Sequence, residues 1–395
     1  MGNELLEMQP AAFLQAAATA SGGLTDFGDP SFLEPLGVLI EAVEREGQLT
    51  RAGLFGWQQR TLQLLTHRLR MQELFRQHPE ILAAPVTRPL VIVSLQRTGS
   101  TKLQAVLACD ERRQAPCLWE ALFPVPFPGE LPGDPRPRIE AAKAWEKMFY
   151  GAIPEALAAH AMFAEATEEE TFAVEMSFRW TVASVSARIP SYIRWVENHD
   201  ATPTYRDMKR ILQAWQWQRG SGKPWVLKSP WHIGFLDALL EVFPDATIVQ
   251  CHRDPYESVP STCALMHLGR RVGRPTLSKI EHGAEVLAMN GREMTQHLRQ
   301  RAALGAKDPT VDVFYQDIVH DVIGVARRIY ATRGESLTPD AERRMRQWEL
   351  DNGQHKHGKF HYTAEEYGIT REGVAAAFAD YYAHKEWFAR LSQRR

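Results

Sequence analysis

The stretch Pro89-Leu90-Val91-Ile92-Val93-Ser94-Leu95-Gln96-Arg97-Thr98-Gly99-Ser100-Thr101-Lys102-Leu103-Gln104-Ala105-Val106-Leu107 decides the fold. Its first part is a short aliphatic run rich in β-branched residues, long enough for a buried parallel strand and far too short to span a bilayer. The run stops at Gln96. A turn with a cation, a glycine and three hydroxyls follows, after which Leu103, Val106 and Leu107 recur at helical spacing. Strand, glycine turn, helix is the order that cradles a phosphate, because the first amide N–H groups of a helix are unpaired and carry partial positive charge. Gly99 lets the backbone approach closely, Thr98, Ser100 and Thr101 add donors, and Arg97 and Lys102 add charge. The same residues would also make a plain strand-to-helix turn capped by Ser100 or Thr101, so the rest of the chain has to decide. A Walker A loop, G-x-x-x-x-G-K-S/T, is ruled out because here the cation precedes the glycine.

Downstream, Trp225-Val226-Leu227-Lys228 reads as a strand, Gly234 to Phe243 as a helix and Ala246 to Cys251 as a second strand. This βαβ unit predicts parallel strands joined by a right-handed crossover, with ligands beyond the strands' carboxyl ends. Both ends carry chemistry: Lys228-Ser229-Pro230-Trp231-His232 after the first and His252-Arg253-Asp254-Pro255 after the second. Another strand, Val311 to Phe314, leads into Tyr315-Gln316-Asp317 and a helix from Val319 to Tyr330. Gly220-Ser221-Gly222-Lys223-Pro224 precedes a strand and lacks a hydroxyl after its lysine, so it reads as a turn. The fold class is α/β, with a central parallel sheet.

Upstream, from Leu5 to about Leu82, apolar residues such as Phe32, Leu36, Leu39 and Ala42, then Leu62, Leu65 and Leu69, recur three or four apart. This predicts a helical lobe over residues 1–86, covering the sheet or forming a homo-oligomer contact, before a main domain over 87–395. Pro116 to Pro137 reads as an irregular loop holding Trp119 and Glu120. Helical patterns return from Ile139 to Arg219, and their aromatics suit either a core or an acceptor pocket formed by residues of about 116–220. Glu168-Glu169-Glu170 reads as a solvated face. Near the C-terminus, His355 to Tyr362 gathers cations and histidines around Gly358.

The chain has 395 residues, 44% of them hydrophobic, and a formal net charge of −2. It is long enough for one large core, and no global field favours nucleic acid or an anionic membrane. The cysteines, Cys109, Cys117, Cys251 and Cys263, form no C-x-x-C pair, which predicts reduced thiols in a cytoplasm and no zinc. Met-Gly-Asn-Glu-Leu-Leu shows neither an export signal nor a lipid anchor.

Four segments, met in order, resemble the sulfotransferase superfamily. Arg97-Thr98-Gly99-Ser100-Thr101 is similar to its 5′-phosphosulfate loop, and Arg253-Asp254-Pro255 leading to Ser261 resembles its 3′-phosphate motif. Tyr315-Gln316-Asp317-Ile318 is similar to Tyr-Glu-Asp-Met, whose tyrosine lies near the adenine, and Lys356-His357-Gly358 to the Arg-Lys-Gly of the phosphate clamp. With Trp119-Glu120 and Lys228-Ser229-Pro230, the pattern looks most like the bacterial branch. The resemblance implies a P-loop-like three-layer sandwich. It also implies a sulfuryl transfer from 3′-phosphoadenosine 5′-phosphosulfate (PAPS) to a hydroxyl, less often an amine, of a partly apolar small molecule. Adenosine 3′,5′-bisphosphate (PAP) would be the product, and no metal or membrane partner would be needed. Gln96 stands where the family usually has Pro, and Lys102 where bacterial relatives have an apolar residue.

On this reading Arg97 and the loop amides stabilise charge on the leaving phosphate, and Lys228 reaches the bridging oxygen. Lys228-Ser229-Pro230 replaces the Lys-Thr-His of animal cytosolic enzymes, so the base is open between His232 and Glu120, with His232 preferred for its place after the strand. Two other classes remain: a nucleotide-dependent kinase, which lacks its Walker lysine and magnesium-holding Asp here, and a catalytically inactive nucleotide-binding scaffold.

Overall fold

The computed structural model describes residues 4–353 and 356–392, so His355 of the C-terminal cluster lies outside the described residues. Four strands form one sheet in the order β2-β1-β3-β4: β1 (Leu90–Val93), β2 (Val226–Lys228), β3 (Thr247–His252) and β4 (Thr310–Phe314). Every pairing is parallel, with Ile92 opposite Lys228 on one side and Val249 on the other. Parallel strands need long crossovers, which place helices on both faces and leave β1 buried along its whole length. Alternation then separates two cores. Leu90 and Ile92 join Leu103, Val106, Val313 and Ile318, while Val91 and Val93 join Ala121, Trp180, Trp215 and Leu239. This is a three-layer sandwich. The chain leaves β1 for β2 at one edge and returns past it to β3, so the strand order reverses around β1. A crevice opens at such a reversal, beyond the carboxyl ends.

The expected strands are present to within a residue or two. The loop between Pro116 and Pro137 holds one short helix, Leu118–Leu122, and Gly220 ends the helix Thr202–Arg219 with φ +59°. The core runs across the boundary expected at residues 86 and 87: Phe13, Leu36, Leu65 and Leu69 belong to one buried cluster with Trp180, Tyr205 and Trp215. Arg68, on the long helix Arg51–Gln77, fastens this union. Its guanidinium pairs with Asp207 at 2.7 Å, donates to the carbonyls of Phe27 and Asp29, and lies 4.3 Å from the Phe32 ring. Arg68→Ala would leave Asp207 without its 2.7 Å partner and remove the donor to the carbonyls of Phe27, Asp29 and Met176. A loss of roughly 3 kcal/mol in unfolding free energy is expected by denaturant titration, the scale of a broken buried pair.

Candidate active site

The anion cradle is built first, by the turn after β1. Arg97 and Gly99 both hold left-handed backbone, at φ +67° and +86°, and the Thr98 hydroxyl donates to the Leu95 carbonyl at 2.9 Å, tightening the turn. A non-glycine residue held there costs about 1–2 kcal/mol, which the surrounding sheet supports. Gly99 caps the helix Ser100–Ala108 with no side-chain hydrogen bond, leaving the first amides of that helix open to an anion. A Cβ on Gly99 would stand 3.2 Å from the Tyr315 ring and 3.3 Å from Ile318, so the cradle is closely backed as well as strained.

The strand ends bring the predicted nucleotide residues together. Arg253 donates to the Arg97 carbonyl at 2.8 Å and lies 4.1 Å from the Tyr315 ring, while Arg97 donates from Nε to Ser261 Oγ at 3.0 Å. Ser261 sits on the helix Pro255–Gly273, started by Asp254, whose carboxylate accepts from the Tyr256 amide. Arg97 also donates to the Ala159 carbonyl at 2.8 Å, and burial above all lowers its pKa from the ordinary arginine value. Lys102 is drawn elsewhere, into a 2.8 Å ion pair with Glu349, which corrects its expected place in the cradle. Lys356 is exposed, and its ammonium lies 3.4 Å from the Asn352 side-chain oxygen rather than against Arg97 or Arg253. His357 lies 5.2 Å from the Phe163 ring, and a Cβ on Gly358 would stand 3.8 Å from Ala158, the residue before the carbonyl that meets Arg97.

Neither expected base faces this crevice. His232 is fully buried, its Nε2 2.7 Å from Glu170 and its Nδ1 3.0 Å from the Tyr205 hydroxyl, so both ring nitrogens are engaged. Ser229 Oγ accepts from the Trp231 amide, starting a tight turn that aims Pro230 and Trp231 at the cavity and turns His232 into the core. Glu120 caps the Cys117 amide and is held by Arg219, which donates from Nε at 2.7 Å. Both are structural.

The acidic run, expected as a solvated face, lies inside the fold. Glu168, Glu169 and Glu170 are all buried, and each carboxylate meets its own cation or imidazole. Glu170 bonds His232 and accepts from the Lys228 backbone amide, Glu169 pairs with the Lys228 ammonium, and Glu168 lies 3.6 Å from His160 Nε2. Burial raises the Glu169 pKa, against the pull of Lys228. Burial also opposes ionisation of Glu168, but His160 and Lys228 together hold its pKa below the usual carboxylate value. Two neighbouring acids with pKa values pushed apart have separate roles available. The signal for this was Lys228 itself: a lysine ending a fully buried strand needs a carboxylate, and the glutamate run has no cation of its own nearby in sequence.

Glu169, Lys228, Arg97, His160 and Gln96 are among the lining of a cavity of about 220 Å³ whose remaining wall is largely apolar. Trp145, Phe149, Ile153, Phe172, Leu265 and Leu268 supply most of it. The Gln96 side-chain oxygen is buried without a partner. The ligating atoms of His160, Glu168 and Glu169 lie within 4.8 Å of one another, close enough for a metal ion, although the Lys228 ammonium already holds Glu169.

A parallel sheet with a strained glycine turn, open helix amides and cations converging at the strand ends, beside an apolar cavity, defines an enzyme of the P-loop-like group-transfer class. The match then becomes specific: the sulfotransferase family model covers residues 89–340, and the chain belongs to that family. It is 25% identical over 310 residues to omega-hydroxy-beta-dihydromenaquinone-9 sulfotransferase Stf3 from Mycobacterium bovis and from Mycobacterium tuberculosis, covering 72% of each chain. Sulfotransferase STF9 from Mycobacterium avium superposes with a TM-score of 0.85 at 28% identity, over 95% of this chain and 96% of that one. Sulfotransferase STF1 from Mycobacterium tuberculosis H37Rv superposes with a TM-score of 0.81 at 28% identity, over 93% and 97%. The activity is sulfuryl transfer to a small-molecule acceptor. No described helix is long and apolar enough to cross a membrane.

His232→Ala removes the partner of a buried carboxylate. It should cost about 2–3 kcal/mol in stability, read by thermal melting, and leave the affinity for PAP within about twofold.

Proposed function

We propose that the chain moves the sulfuryl group of PAPS to the hydroxyl of an apolar small molecule, with Glu169 as the base. The observation that carries this is the placement of Glu169: held by Lys228, in the apolar cavity that Arg97 of the anion cradle also lines. The donor fits the residues present. Open amides and Arg97 suit a 5′-phosphosulfate, and Arg253 with Ser261 suits a 3′-phosphate. When bound, it supplies the sulfuryl group and a phosphate leaving group.

The chain's own residues do the rest. Arg97 and the amides of Ser100 to Lys102 neutralise charge that gathers on the departing phosphate, and they are already oriented before reaction. Lys228 fixes one Glu169 oxygen, which leaves the other for the acceptor's proton. Burial makes Glu169 a stronger base than a solvated carboxylate, as proton abstraction from an alcohol requires. The apolar wall excludes water that would compete with the acceptor. Stf3 is named for an acceptor hydroxylated at the end of a lipid-like body, and the same class suits this wall. Arg97, Arg253 and the open amides of the helix Ser100–Ala108 bring the positive charge that a metal supplies in phosphoryl transfer.

Calorimetry is expected to show tight binding of PAP and weak binding of AMP, because Arg253 and Ser261 reward a 3′-phosphate. Arg253→Ala should lose about 2 kcal/mol for PAP and little for AMP; equal affinity for the two ligands in the unaltered protein would remove Arg253 from this role.

Glu169→Gln should lower kcat by ~10² or more with PAP affinity nearly unchanged. The rate should rise with pH as Glu169 ionises, with its limb above that of an ordinary carboxylate. Lys228 lowers the Glu169 pKa, so Lys228→Ala should move this limb to higher pH. A limb that stays in place would separate Lys228 from the base.

A further inference from the structure

We infer that His160, with Glu168, is the route by which the acceptor's proton leaves the buried base, an inference that rests on Glu169 being that base. Glu169 is buried and tied to Lys228, so a proton taken from the acceptor has to travel before the next turnover. His160 offers the exit. It lines the same cavity, its side chain is 20% exposed against 4% for Glu168, and its Nε2 stands 3.6 Å from Glu168 Oε1. That distance is just beyond a hydrogen bond, and a Glu169 oxygen lies within 4.8 Å of a His160 ring nitrogen, a span that one bridging water can cover. The three ligating atoms lie within 4.8 Å, a compact relay rather than a chance proximity on a solvated face. The backbone holds it in place: the Glu169 amide donates to Glu168 Oε1 at 2.9 Å, and Gln104, from the helix after the anion cradle, donates to the Glu168 carbonyl at 3.2 Å.

The step balances simply. As the acceptor oxygen bonds to sulfur and the bridging sulfur–oxygen bond breaks, the acceptor O–H proton passes to Glu169 and the electron pair of the broken bond stays on the leaving phosphate. Glu169 then returns the proton through water to His160, which releases it to solvent. Glu168 stays ionised and steadies the imidazolium. His160 is therefore a positioning and relay residue, and it need not touch the acceptor.

A relay matters most when the acceptor holds its proton tightly, which separates it from a structural role. Farnesol, an aliphatic alcohol, and 2-naphthol, a more acidic phenol, are suitable probes with PAPS carrying labelled sulfate. For His160→Gln, kcat with farnesol should fall roughly tenfold while 2-naphthol stays within about threefold. PAP affinity, measured on the same preparation, should stay unchanged and shows that the variant is folded. Imidazole added to His160→Ala should restore farnesol turnover. An equal fall with both acceptors and no rescue by imidazole would make His160 structural, and unchanged turnover with both would remove it altogether. If the unaltered protein binds PAP but sulfates neither probe, the acceptor reading and the relay fall together. If Glu169→Gln abolishes transfer while His160 variants stay at wild type, the relay alone fails.

Discussion

Lys228 is the last residue of a buried strand, and its side chain is only 3% exposed. An unpaired cation there would cost several kcal/mol, so a carboxylate has to come to it. Glu169 does, and its neighbours follow: Glu170 accepts from the Lys228 amide and holds His232, and Glu168 is carried toward His160. One buried pair therefore fixes the segment 168–170 against the sheet and sets an ionisable group in an apolar cavity.

The second constraint is the reversal of strand order around β1. It places four strand ends side by side, so Arg97, Lys228, Arg253 and Tyr315, scattered over more than 200 residues, meet at one crevice. The anion cradle and the apolar cavity touch through Arg97, whose guanidinium spans from Ser261 to the Ala159 carbonyl next to His160. Among the described residues, the N-terminal helices contribute nothing to the lining of the cavity that Glu169 and Arg97 share. They bury the other face of the Thr202–Arg219 helix and hold it through Arg68 and Asp207.

Much of the fold was legible in the sequence because parallel strands read as continuous apolar runs and the glycine turn has its own signature. The Arg253 to Ser261 spacing was legible for a similar reason, since both lie on one strand-to-helix unit. The base was not. His232 follows the right strand, but a tight turn begun by Ser229 rotates it into the core, and such a rotation leaves no periodic trace. Glu168 to Glu170 lie between short helical turns, where no repeat tells an inward carboxylate from a solvated one. Only the need of Lys228 for a partner pointed there, and that need names no residue. Lys102 shows the reverse case: a cation beside an anion cradle that a carboxylate from a later helix, Glu349, claims first.

The most direct test of the account is to follow labelled sulfate from PAPS into farnesol with EDTA present, alongside γ-labelled ATP with magnesium. The account predicts a sulfated alcohol that persists in EDTA, and no phosphate transfer. Label that moves only from ATP, and only with magnesium, would contradict it.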